Sequence, residues 1–350
     1  MRCRIAHWLP VVAFTAAAGG AVAGNADAAR PAGDEAVWKG MFNLDNGGAR
    51  QDGRNQASQL LRNRNMWELD NAAGLQYGAA DETPGRLRLF GGIDAPGGNK
   101  GAMFGARYRQ ALAGSGNFAG SLSYGVDYRT YKNSVLQQDV EQGNEVTLHP
   151  LSVNYSGNWI LDDGAVSSSL TLLHNISGGV RGGQDDFTRV RAGASADYSI
   201  VRLAASLTKQ LPRDFQVRAV VHGQYTRDAL VPGEQFGAGG TGSVRGFSAR
   251  ALSNDYGMTA NVELYSPELC GVMVRWHCRA LLFYDKGYIK RNRELAGELR
   301  SGSIGSVGLG LRMNISSNVN MQVDYGHVVR SSVVPQDDKN RLHLRIGLTW

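Results

Sequence analysis

Beyond its N-terminal segment this sequence has no apolar run approaching the roughly 20 residues of a membrane helix. That absence excludes helical spans. It does not exclude membranes, because strands of a transmembrane barrel need only about ten alternating residues each. Dense apolar clustering of the kind a soluble core shows is also scarce, and mean hydropathy is −0.28. The seven histidines include no H-x-x-x-H or H-E-x-x-H spacing, and there is no G-x-S-x-G. The adjacent pairs Asp162–Asp163 and Asp185–Asp186 read as solvated turns. No metal site, cofactor or enzymatic activity is therefore expected. Net charge is +6, but the basic residues are scattered singly, which suits a wet lumen and its loops better than nucleic acid. No linker, low-complexity tract or tandem repeat divides the chain, and one domain over residues 35–350 is expected.

What is present begins with a secretory signal. Arg2 and Arg4 precede the apolar, small-residue stretch LPVVAFTAAAGGAVA, and AVA or ADA supplies a cleavage site, giving a signal peptide over 1–28. The competing reading, a single anchor, has too short an apolar core. Cys3 leaves with the signal. Cys270 and Cys278 remain, an even pair in an oxidising compartment, and form the candidate disulfide; two unpaired small residues are the alternative.

The rest of the chain, rich in its 46 glycines, reads as strands. The C-terminal LHLRIGLTW sets Leu342, Leu344, Ile346, Leu348 and Trp350 on one face and His343, Arg345 and Thr349 on the other. The final aromatic, Trp350, is similar to the terminal assembly signal of outer-membrane proteins. VNMQVDYGHV, SVGLGLRMNI and YGMTANVELY alternate in the same way, and further segments follow upstream to WKGMFNLDN. LDNAAGLQYGA is one of these, taken as a single strand. Short turns such as LPRD and LDDG contrast with long polar loops such as KNSVLQQDVEQGNEV and SGGVRGGQDDFTRVRAGASADYS. That asymmetry is the outer-membrane arrangement. The fold class predicted is all-β: a transmembrane antiparallel β-barrel of 16 strands, with strand directions failing to tally somewhere in 100–150. His174, His222 and His343 are expected to be polar residues facing the lumen.

One stretch does not fit a plain barrel. GAGGTGSVRGF, from Gly237 to Phe247, sets Arg245 among glycines. It matches a G-x-G-x-x-G dinucleotide pattern, but neither a buried strand nor a helix flanks it, so that reading fails. Direction counting from the C-terminus makes this an extracellular loop. On a later strand, LLFYDKG places Phe283, Asp285 and Gly287 on one face, the lumen side, since Asp285 would be expensive toward lipid. A glycine-rich loop folds back on itself readily, and the planar fork of Arg suits a carboxylate on the inner wall.

Val244-Arg245-Gly246-Phe247, joined to the F-x-D-x-G of Phe283–Gly287, resembles the barrel of two-partner secretion transporters. These are the haemolysin-activator and haemagglutinin-secretion proteins of the Omp85 superfamily. The likeness covers roughly residues 36–350. It implies a V-R-G-F loop folded into the lumen with Arg245 meeting Asp285. It also implies an outer-membrane pore of a Gram-negative bacterium that translocates a partner exoprotein, haemolysin or adhesin in type. Partners would be that exoprotein, outer-membrane lipid and the barrel assembly machinery. The family's two periplasmic POTRA domains have no counterpart before the first strand of this sequence. Two alternatives follow: a POTRA-less barrel serving assembly or passive conduction, or a non-functional remnant of a longer transporter.

Overall fold

A computed structural model describes side chains for residues 103–114, 116–131, 145–271, 276–332 and 339–349. It describes backbone alone for 38–45, 56–63, 68–70, 74–78, 85–94, 99–102, 132–137 and 140–144. The signal segment 1–28 and Trp350 lie outside the described residues.

Strand is the dominant element among the described residues. In order come β1 (Trp38–Asp45), β2 (Gln56–Asn63), β3 (Glu68–Asp70), β4 (Gly74–Gly78), β5 (Gly85–Asp94), β6 (Asn99–Ala111) and β7 (Phe118–Gln137). There follow β8 (Val140–Leu148), β9 (Pro150–Leu161), β10 (Gly164–Asn175), helix α1 (Gln184–Val190), β11 (Ser199–Gln210) and β12 (Gln216–Tyr225). The last third holds β13 (Phe236–Ala238), β14 (Leu252–Asn254), β15 (Tyr256–Tyr265), β16 (His277–Lys290), β17 (Ser301–Ser316), β18 (Val319–Ser331) and β19 (Asn340–Thr349). Successive strands pair antiparallel, and β19 pairs with β1 as well as β18. β8 and β9 run in line along β7, divided at His149. β13 and β14 form a small separate ladder inside the segment between β12 and β15.

The two faces invert the pattern of a soluble protein. Leu172, Leu203, Leu282, Leu309, Tyr325 and Leu342 are all exposed. The covered face carries Thr259, Glu263, Asp285, Ser306, Asp324 and His343. Period-two alternation makes this separation automatic, and an apolar outer row over a polar inner row is what a lipid-facing sheet requires. Among the described residues no helix is long and apolar enough to cross a membrane.

Three expectations are corrected. The polar stretch 132–146, taken as a loop, extends the hairpin as the end of β7 and the start of β8, with Gln137 opposite Val140. The strand-direction conflict originates in the segment read as one strand, where two short antiparallel strands, β3 and β4, replace one. His174 is not on the covered face: it follows Leu170 and Leu172 on the exposed row, with Ser199 Oγ 3.0 Å from its Nδ1.

The long loop 177–199 is also ordered where a plain polar loop was expected. Helix α1 sets Phe187 into a buried cluster with Val146, Leu148, Tyr198, Ile200 and Leu230. Arg191, just past the helix, forks onto the carboxylate of Asp255, with Nη2 2.9 Å from Oδ2. Asp255 also accepts the backbone N–H groups of Leu230 and Asn292.

Candidate functional site

The glycine-rich segment between β12 and β15 folds against the covered face. Apolar contacts seat it first: Val244 and Phe247 pack with Ala238, Leu252, Ile289, Ile304 and Val328. Two missing side chains make the approach possible. A Cβ on Gly326 would lie 2.7 Å from the backbone nitrogen of Gly246, and one on Gly287 would lie 3.1 Å from Val244 Cγ2. Gly246 itself takes φ +89°, a conformation that glycine adopts at little cost. Its N–H donates to His343 Nε2 at 2.9 Å, and the side chain of Asn261 donates to the carbonyl of Ser243.

This seating buries Arg245, which is 3% exposed. Its Nε and Nη2 donate to the two oxygens of Asp285, each at 2.7 Å. Its backbone N–H donates to Asp285 Oδ2 at 3.0 Å. Nη1 donates to Glu263 Oε1 at 2.7 Å and to Asp324 Oδ1 at 3.4 Å. The guanidinium carbon lies 3.6 Å from the centroid of Phe283. The arginine fork thus has a carboxylate in its plane and a ring on its face, the two geometries that Lys cannot reproduce.

The site is a charge cluster. Glu263 also meets Arg218 at 3.3 Å and accepts from Tyr265 Oη at 2.8 Å. Asp324 meets Arg312 at 2.9 Å. Three arginines, Arg218, Arg245 and Arg312, therefore face three carboxylates, Glu263, Asp285 and Asp324. The opposite charges are matched in number, so each buried group has a partner of the other sign. The bare Cα of Gly308 leaves room for the Phe283 ring, which a Cβ there would meet along with the Tyr325 carbonyl.

The V-R-G-F residues and the F-x-D-x-G residues are therefore brought together. Cys270 and Cys278 form a disulfide after β15, away from this cluster. Glu263, Asp324, Arg218 and Arg312 were not singled out by the sequence reading; His343, expected on the lumen side, is on the covered face, where it accepts from Gly246. Alternation put each on the inner face, but nothing in the sequence gave the register that lines them up beside Asp285. A second buried cluster was also missed. Glu234 accepts from Arg129 at 2.7 Å, Arg202 at 2.9 Å and Tyr131 Oη at 3.0 Å. It ties the start of the same glycine-rich segment to β7 and β11. Among the described residues no group of His, Cys, Asp and Glu is arranged to hold a metal ion.

Known proteins share the family and the fold of this chain. Residues 99–313 match the family model of the haemolysin secretion/activation protein ShlB/FhaC/HecB. CdiB from Escherichia coli superposes with a TM-score of 0.67 at 18% identity, over 91% of this chain and 64% of that one. CdiB from Acinetobacter baumannii gives 0.61 at 16% identity, over 90% and 60%. BamA from Haemophilus ducreyi lacking POTRA domains 1–3 gives 0.60 at 12% identity, over 91% and 71%. At such identities these likenesses are of fold alone: the strands are arranged as in CdiB and BamA. The chain spans less than two thirds of the length of either CdiB. No curated protein matches the sequence. The family model covers well over half of the chain, and the chain belongs to the ShlB/FhaC/HecB haemolysin secretion/activation family of outer-membrane β-barrels.

Proposed function

We propose that this protein is the outer-membrane pore of a two-partner secretion system and translocates a partner exoprotein of haemolysin or adhesin type. The observation that carries the reading is Arg245, seated by Asp285, Glu263 and Asp324 on the inner wall. A loop pinned inside the lumen by a balanced charge cluster occupies the path a cargo chain would take. The domain proposed is a barrel over 35–350, reached after cleavage of a signal peptide over 1–28, with Trp350 as its assembly signal. The strands β1–β7, β9–β12 and β15–β19, each paired on both sides, support a closed ring of 16. Membership of the family and the fold shared with CdiB support the secretion role.

The test is genetic. The secreted proteome of a deletion strain is compared by mass spectrometry with strains restored by the wild type or by Arg245→Ala. Loss of one large exoprotein on deletion, restored by the wild type alone, is the expected result. An unchanged secreted proteome sinks the reading. A general fall in other outer-membrane proteins would instead assign an assembly role.

A further inference from the structure

The exposed row of β16 runs Leu282, Tyr284, Lys286, Tyr288, and Lys286 interrupts an otherwise apolar surface. Its ladder partner on β17 is Gly305, whose partner on β18 is Arg330. Lys286 and Arg330 therefore stand on one face, two strand spacings apart, or about 10 Å. Gly305 between them has no side chain; it is itself buried, and a Cβ there would lie 3.7 Å from Arg330 Cβ and 3.8 Å from Val329 Cγ2, so both side chains fold in over it. Val307, Val329 and Tyr325 are exposed beside and below it. Arg330 Nε donates to Ser303 Oγ at 2.9 Å, which aims the side chain along this face. Lys286 makes no hydrogen bond or ion pair with any described residue. The carboxylates on these strands, Glu263, Asp285 and Asp324, all lie on the covered face. The pair of cations is thus uncompensated by its own wall.

Height decides what compensates it. Lys286 lies nine residues beyond the first residue of β16. At about 3.4 Å per residue and a tilt near 40°, that is about 23 Å, close to the upper edge of an apolar band about 25 Å tall. A cation at mid-membrane would be costly; at this edge it meets headgroups. We propose that Lys286 and Arg330, astride Gly305, bind the phosphate of an anionic lipid in the leaflet at the loop-bearing end. Its acyl chains would lie on Val307, Val329 and Tyr325. This rests on the outward row facing lipid, and not on the secretion role.

The test uses the whole protein in phosphatidylcholine nanodiscs doped with diphosphoryl lipid A, with retained lipid counted by native mass spectrometry. The wild type should retain lipid A, and Lys286→Gln/Arg330→Gln should lose roughly 30-fold in affinity, as expected for two basic groups at an anionic surface. Lys286→Arg should keep binding, and lipid A stripped of its phosphates should not be retained. Equal retention by wild type and double variant, or equal retention of stripped lipid A, overturns the proposal. Displacement of lipid A by excess inorganic phosphate would make this a free-anion site and overturn the lipid assignment. Should the double variant not assemble, Lys286→Gln alone is measured: weaker retention than the wild type supports the site, and equal retention overturns it. Wild-type protein that fails to enter nanodiscs as a heat-modifiable barrel would overturn the membrane reading itself, a failure distinct from loss of lipid binding.

Discussion

Removing Arg245 should free the loop it anchors, and the neighbouring charges set the size of the effect. In Arg245→Ala, Glu263 keeps Arg218 and Tyr265, and Asp324 keeps Arg312. Asp285 keeps no cation, and its side chain is 0% exposed. A buried ion pair broken on one side costs about 3–5 kcal/mol. If that energy holds the loop in place, the open population rises by ~10²–10³-fold or more. Asp285→Ala should be milder, because Arg245 retains Glu263 at 2.7 Å and Asp324 at 3.4 Å. It loses three charge-assisted contacts but leaves no unpaired carboxylate. The double variant should be no worse than Arg245→Ala, since it removes the stranded Asp285. The readout is the rate of maleimide labelling of Val244→Cys, a position fully buried in the seated loop. Assembly is checked in parallel by heat-modifiable migration. If labelling of the assembled barrel is as slow in Arg245→Ala as in its parent, Arg245 does not hold the loop. If the double variant labels much faster than Arg245→Ala, the two residues do not act as one unit.

Other positions give further tests. Gly326→Ala places a Cβ 2.7 Å from the Gly246 nitrogen; overpacking of this kind costs about 1–3 kcal/mol, so Val244→Cys labelling should rise with assembly unchanged. Unreduced, unfolded protein should show no free thiol at Cys270 or Cys278; replacing both with Ser should cost at most about 2–3 kcal/mol, read as a lower thermal midpoint of heat-modifiability. Asp214, in the turn between β11 and β12, is held below the usual carboxylate range, chiefly by its hydrogen bonds from Arg279. A carboxylate with a lowered folded pKa stabilises above its unfolded value, and the contribution disappears as pH falls through the folded value. Protection of this turn from proteolysis should therefore persist to pH ~4 and fail below it. Asp214→Asn should remove that acid step; an unchanged acid profile would refute the assignment.

Much of this was legible because a barrel strand is a simple code. Strict alternation in LHLRIGLTW and VNMQVDYGHV assigns each residue to a face without knowledge of its neighbours. The same parity placed Asp285 inward and made its meeting with Arg245 a reasoned expectation. Where the code is interrupted, the reading failed. β3 and β4 are two short strands that looked like one, and His174 sits outward because its polarity says less than its parity. The buried residues of the long loop, Phe187 and Arg191, were illegible, since loop packing follows no period.

By itself, then, the sequence determined the all-β class, the inner and outer rows and the identity of the arginine among glycines, because side-chain period and local φ preference are properties of neighbouring residues. Only the tertiary structure decided register. Register alone brings Glu263, Asp324, Arg218, Arg312 and His343 around Arg245 and Asp285, and sets Lys286 and Arg330 on either side of Gly305. It is fixed by many weak cross-strand contacts summed over distant parts of the chain, and no short stretch of sequence contains that sum.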